Sequence, residues 1–185
     1  MSQQQLVFLV GPDRCGKTEI AKELSRWLNV PYFKATSEHT TFLSSRVSKN
    51  DQFLNQLRFA EPRVIDILRQ TKHSMVFDRG FPCEFVYSKV MGRETDLTML
   101  SHVDEAYSMM GAKIIICRRS SYVGIQDDLD PTIKEETLQQ LDDAYFEFLA
   151  MTRCKSLVLN VDDENLDREI KDILDFLDVD PIIWR

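Results

Sequence analysis

No stretch of this sequence is apolar for long enough to cross a bilayer: its longest runs, Leu6–Val10 and Ile114–Cys117, fall far short of the ~20 residues a spanning helix needs. The first five residues, Met1-Ser2-Gln3-Gln4-Gln5, carry no positive charge ahead of an apolar run and no small-residue cleavage pattern, so no signal peptide is expected and the location reads as cytoplasmic. Cysteine is scarce and scattered. Cys15, Cys83, Cys117 and Cys154 show neither C-x-x-C spacing nor a histidine partner, which argues against a zinc site and a disulfide framework and for reduced thiols. With six glycines and six prolines in 185 residues, collagenous and low-complexity readings fall away. Positive charge is also in deficit, 23 Lys and Arg against 30 Asp and Glu for a net −7, so the chain as a whole repels nucleic acid and anionic membranes. Any polyanion must be gripped locally. What remains, 43% hydrophobic and 29% charged, is enough for one compact domain with a substantial core.

Five short apolar segments, Leu6–Val10, Val30–Phe33, Met75–Phe77, Lys113–Cys117 and Leu157–Val161, read as strands. They are near-continuously apolar, the pattern of parallel strands covered on both faces. Between them lie segments of helical period, such as Ile20, Leu24, Trp27, Leu28 and Leu138, Leu141, Tyr145, Phe148, Leu149. The alternation predicts a three-layer α/β domain with a five-stranded parallel sheet flanked by helices. Asn50–Gln70 reads as one long helix broken or kinked near Pro62, and Gly80–Met110 as two helices parted at Gly92. Ser120–Pro131 reads as a mobile loop or short helix, and the acidic stretch Asp162-Asp163-Glu164, ahead of the last helix, as a helix start rather than a metal site.

Directly after the first strand comes Gly11-Pro12-Asp13-Arg14-Cys15-Gly16-Lys17-Thr18, a full match to G-x-x-x-x-G-K-[ST] between a strand and a helix. Glycines let successive N–H groups turn toward phosphate oxygens, Lys17 adds a point charge near the β- and γ-phosphates, and the Thr18 hydroxyl suits Mg²⁺. ATP with Mg²⁺ is the expected ligand. The third strand ends on Asp78, an acid at the carboxyl edge of the sheet, where it would hold the metal through water or else merely cap the next helix. Arg79 beside it is placed to bind phosphate in bidentate fashion. No N-K-x-D, G-x-S-x-G, H-E-x-x-H or protein-kinase motif set occurs.

Together, the phosphate loop containing Asp13-Arg14, the strand ending Asp78-Arg79 and the chain length resemble the thymidylate kinases and the related deoxynucleoside kinases, and Gly80-Phe81-Pro82-Cys83-Glu84-Phe85-Val86-Tyr87-Ser88-Lys89 resembles segments of their phage-type variants. The resemblance implies that Asp13 contacts the acceptor's sugar hydroxyl. It also implies that Arg14 clamps the transferring phosphoryl group, replacing a lid arginine that Ser120–Pro131 lacks, and that Arg118 and Arg119 lie against the adenine or reach the phosphates. Those two arginines could equally end a strand at the surface. Phe59 and Arg63, four residues apart, stand at the spacing of a base-stacking aromatic and a base-edge arginine, although Phe59 is as readily a core residue. Two segments depart from the family. Its F-P-x-R is replaced by Phe33-Lys34-Ala35-Thr36-Ser37-Glu38, and the aromatic after Asp-Arg is Gly80.

The implied activity is phosphoryl transfer from ATP to a pyrimidine deoxynucleoside monophosphate, with Arg14, Lys17, Asp78 and Arg79 at the chemistry and Phe59 and Arg63 at the acceptor. Alternatives are a nucleoside, or the hydroxyl of a modified pyrimidine in DNA gripped by Arg46, Lys49, Arg58, Lys89 and Arg93. A nucleotide-sensing regulatory module is the rival of a different class. A lid at 120–131, pivoting on Gly124, and a homodimer complete the expectations.

Overall fold

In a computed structural model of the chain, residues 4–34, 54–125 and 134–179 are described. Strand β1 (Leu6–Val10) leads into helix α1 (Lys17–Leu28), then β2 (Tyr32–Lys34). A helical stretch follows, opening with a wide π-turn (Gln56–Ala60) and continuing as α2 (Glu61–Thr71). Next come β3 (Met75–Asp78), α3 (Phe81–Val90) and α4 (Leu97–Met109). The chain closes with β4 (Lys113–Arg118), α5 (Glu135–Leu149), β5 (Lys155–Asn160) and α6 (Leu166–Leu177).

The five strands form one parallel sheet in the order β2-β3-β1-β4-β5. Placing β1 in the centre sends the chain out to one side and back to the other, so the carboxyl ends of β1, β3 and β4 open a crevice at the point where the winding reverses. β1 is buried throughout, whereas β5 is exposed at four of six positions and half-buried at a fifth. The expectation that every strand is covered on both faces therefore holds for the middle of the sheet and fails at this edge. Helix α1 packs on α6, and α3 packs on α4 and α5. Beneath the latter group, Phe8 stacks on Phe77 at 4.4 Å and Phe81 on Tyr107 at 5.2 Å. Truncating such a buried ring to alanine costs about 3–5 kcal/mol.

Element boundaries differ from the sequence reading where backbone donors run out. β2 begins at Tyr32 because the Val30 N–H donates back to Ser25 O at the end of α1 and Pro31 has none to give. Pro62 does not break its helix. It occupies the first turn of α2, and the widened π-turn before it relieves the clash between its ring and the preceding carbonyls. Asp162–Glu164 lie ahead of α6, whose cap is Asn165, its side chain accepting from Arg168 N at 3.1 Å. The break at Gly92, between α3 and α4, falls as expected.

Candidate functional site

The loop from Gly11 to Gly16 is shaped by steric necessity. Gly11 has φ 141°, and a Cβ there would stand 2.1 Å from the carbonyl oxygen of Cys117 on β4. No other residue fits. Arg14 and Gly16 are left-handed at φ 67° and 64°, turning the chain into α1, where Gly16 O accepts from Glu19 N and Ile20 N at 3.0 and 3.1 Å. Lys17, 6% exposed, donates from Nζ to Pro12 O, closing the loop on itself. Burial, and then the Arg79 charge, push its ammonium below the ordinary lysine range, so an arriving anion meets a cation short of counter-charge.

Register brings the second motif to the same place. Leu9 of β1 pairs with Asp78 of β3, and Arg79 N donates to Leu9 O at 2.8 Å. The Asp78 carboxylate, 2% exposed, accepts through Oδ2 from Thr18 Oγ1 at 2.6 Å and from Tyr32 Oη at 2.9 Å. Arg79 then bends left-handed at φ 71°, followed by Gly80, where a Cβ would meet Phe8 at 2.6 Å. That sharp corner throws the Arg79 guanidinium across to the phosphate loop.

There it closes a three-membered network. Arg79 donates to Asp13 through one terminal nitrogen and to Tyr87 Oη at 2.7 Å through the other, while Tyr87 Oη donates to Asp13 Oδ2 at 2.9 Å. Burial alone would raise the Asp13 carboxyl. The Arg79 and Lys17 charges and the Tyr87 hydroxyl overcome that and hold it below the usual carboxylate range. The group can therefore present an ionised carboxylate and a fixed guanidinium fork to a hydroxyl or phosphate.

On the opposite flank, Arg119 Nε donates to Arg14 O at 3.0 Å and a terminal nitrogen donates to Glu164 at 2.7 Å. It borders a cavity of 270 Å³ whose walls include Cys15, Gly16, Ile20, Val161 and Glu169. Arg118 turns the other way, to Asp142 at 2.7 Å and over the Phe146 ring at 4.8 Å on α5. The two arginines expected to act together are thus divided, and only Arg119 faces the loop's cavity.

Tyr122, 2% exposed, lies behind the loop with its hydroxyl 3.7 Å from Cys15 Sγ, donating to Asp142 and accepting from Arg119 N. Residues 120–125 of the expected lid are anchored by it, and by Ser120 N donating to Asp162. Positions 126–131 lie outside the described residues.

Phe59 is 65% exposed and Arg63 is exposed, so a core role for Phe59 is ruled out and both stand at the surface. Of the basic residues considered for DNA, Arg46 and Lys49 lie outside the described residues. Arg58 is paired with Asp96, Lys89 with Glu147, and Arg93 faces the buried Glu84. Sequence reasoning missed Tyr32, Tyr87 and Tyr122. Four of the chain's five tyrosines end on a carboxylate, a pattern that no local feature of the sequence marks.

A glycine-shaped phosphate loop, a threonine locked to an acid on the adjacent strand and a parallel sheet reversing beside them define a P-loop nucleotide-binding α/β protein. The family model described as an AAA domain matches residues 6–166, and the chain belongs to that family. No curated protein matches the sequence closely enough to count as a relative. Among solved structures, the YorR protein of Bacillus subtilis in complex with phosphorylated GDP is similar, with TM-score 0.67, 19% identity and 94% and 95% of the two chains covered. Thymidylate kinase from Ehrlichia chaffeensis superposes with TM-score 0.66 at 13% identity over 95% of this chain and 100% of that one. Deoxyadenosine kinase from M. mycoides with products dCMP and dCDP gives 0.58 at 19% identity over 94% and 98%. At such identities the likeness establishes the fold. Among the described residues no helix is long and apolar enough to cross a membrane.

Proposed function

We propose that the protein is an ATP-dependent kinase that phosphorylates a deoxynucleotide, a pyrimidine deoxynucleoside monophosphate in the first instance. The observation that carries this reading is the pair of stations flanking one phosphate loop. Lys17, Thr18 and Arg119 serve the donor on one side, and Asp13, Arg79 and Tyr87 offer a second, arginine-based anion and hydroxyl site on the other. A sensor needs the first station alone. The nucleotide and nucleoside kinases among the fold's neighbours support the same reading.

The Thr18 hydroxyl and Asp78 carboxylate, 2.6 Å apart, are hard oxygen donors of the kind Mg²⁺ takes alongside substrate phosphates and water. When bound, the ion supplies neutralisation of charge on the β- and γ-phosphate oxygens. Lys17 would leave Pro12 O for those phosphates, and the loop's N–H groups would hold them in line. Arg14 would lie against the transferring group, and Asp13 would orient the attacking acceptor while Arg79 holds its anionic end. Catalysis by such positioning and charge stabilisation needs no covalent intermediate. Transfer of radiolabel from the γ-phosphate of ATP to a panel of deoxynucleosides, deoxynucleotides and hydroxymethylpyrimidine DNA tests this directly. Label is expected in a deoxynucleoside monophosphate, and its absence from every acceptor overturns the proposal. Label in DNA alone would favour the modified-base reading, which the pairing of Arg58 and Lys89 with acids speaks against.

A further inference from the structure

Helix α6 puts a carboxyl where a surface helix would ordinarily bury a leucine. Glu169 sits in its first turn on the buried face with Ile170 and Ile173, is 4% exposed, and lines the cavity beside Cys15 and Gly16. Among the described residues its carboxyl accepts no hydrogen bond. The nearest cation, Arg168, stands 3.8 Å away, beyond hydrogen-bonding reach, and is committed to Asp163, Asp172 and the Asn160 carbonyl. Proximity to the helix amino terminus favours its charge but supplies no donor to its oxygens. Its carboxyl lines the open space of the cavity, and that is where a donor could arrive.

We propose that this cavity receives the base of the donor nucleotide and that Glu169 selects a purine carrying an exocyclic amine by accepting that amine's N–H. The inference rests on the reading that the loop Gly11–Thr18 holds the donor's phosphates. Given that, the placement follows from the lining: Cys15 and Gly16 belong to the loop, so a nucleotide anchored there extends its base into the adjoining space. Ile20, Val161 and Leu166 offer apolar contact to the ring faces, and the planar Arg119 guanidinium, held by Arg14 O and Glu164, offers a stacking surface. Glu19 and Glu164 line the same space but are exposed, and Glu169 is the buried carboxyl of the three. Burial raises the Glu169 carboxyl, against the Arg168 and Arg119 charges and with the help of Asp163 and Glu164. In either protonation state an oxygen of this carboxyl is free to accept an N–H from the adenine 6-amine.

The test compares ATP with purine riboside triphosphate, which lacks the 6-amine, by ligand-dependent thermal stabilisation and by kcat/KM. The wild-type protein should favour ATP over this analogue by about 10- to 100-fold, the worth of one hydrogen bond to a carboxyl group. In Glu169→Leu and the smaller Glu169→Ala the preference should collapse to within about threefold through loss of ATP affinity, with the melting temperature maintained in the leucine variant. Glu169→Gln, whose amide both accepts and donates, should keep the preference, as glutamine does when it reads adenine. A wild-type protein that binds ATP and the 6-unsubstituted analogue equally, or a preference unchanged in the leucine and alanine variants, overturns the role of Glu169 and leaves the kinase reading intact. Failure of every nucleotide to stabilise the wild-type protein overturns both.

Discussion

At the scale of single residues, the phosphate loop tolerates little. Gly11→Ala would drive a methyl group into Cys117 O, so loss of folded protein is expected, measured as soluble yield and melting temperature. Lys17→Ala should leave the fold intact, since it removes a buried cation whose main intramolecular partner is a carbonyl, yet abolish transfer in the radiolabel assay. Tyr87→Phe removes the hydroxyl that ties Arg79 to Asp13. The kcat/KM for the acceptor should fall about 10- to 100-fold, with ATP affinity unchanged by isothermal titration. Gly11–Thr18 was legible in the sequence because its eight positions are contiguous and each is dictated by the loop's own geometry. Tyr87, Tyr32 and Tyr122 were not: their partners Asp13, Asp78 and Cys15 lie 74, 46 and 107 positions away, and nothing local marks a tyrosine that will cross the sheet. Arg118 and Arg119 show the converse limit, for adjacency in sequence said nothing of their opposite directions.

At the scale of elements, α3 is the unusual one. Seven of its ten residues are buried, among them Glu84, 8% exposed, with Oε2 accepting no hydrogen bond among the described residues. Burial, and then the neighbouring Glu61, raise its carboxyl from the ordinary 4.5 to about 9 against the pull of Arg93. The folded protein thus keeps a proton that the unfolded chain releases above pH 4.5. Between about pH 4.5 and 9 the unfolded state binds fewer protons, so stability falls as pH rises and levels off beyond about 9. Denaturant titrations at pH 5, 7 and 9 should show this decline, with a shallower slope in Glu84→Gln, which mimics the protonated form; an equally steep decline in that variant would remove Glu84 as its source. Glu61, raised by burial in spite of the Tyr107 hydroxyl, adds to the slope in the same direction. In the sequence, the existence and order of the strands were readable because parallel strands at a sheet's centre are apolar without interruption. The buried carboxylates were invisible, since a glutamate in Phe81–Val90 looks like the one polar face of an ordinary surface helix.

At the scale of the whole molecule, a net charge of −7 and the pairing of Arg58 and Lys89 with acids leave anion binding to the phosphate-loop crevice. Acceptor binding should therefore weaken only gently with added salt, whereas a DNA acceptor requires a steep logarithmic slope. ATP present at about 100 times its dissociation constant should raise stability by ~2.7 kcal/mol, read as a concentration-dependent melting temperature. The sheet order has a further consequence, in the order of synthesis. β1 and its loop are made before the strands that flank them: β1 pairs with β3 and β4, and the carbonyl against which Gly11 rests belongs to Cys117. At about 5–20 residues per second, the nascent chain holds its phosphate loop unsupported for roughly 5–20 s, until that distant strand leaves the ribosome. A stalled chain ending before β4 should carry the complete motif and bind no nucleotide, whereas one that also exposes residues 113–118 should have its loop braced on both flanks.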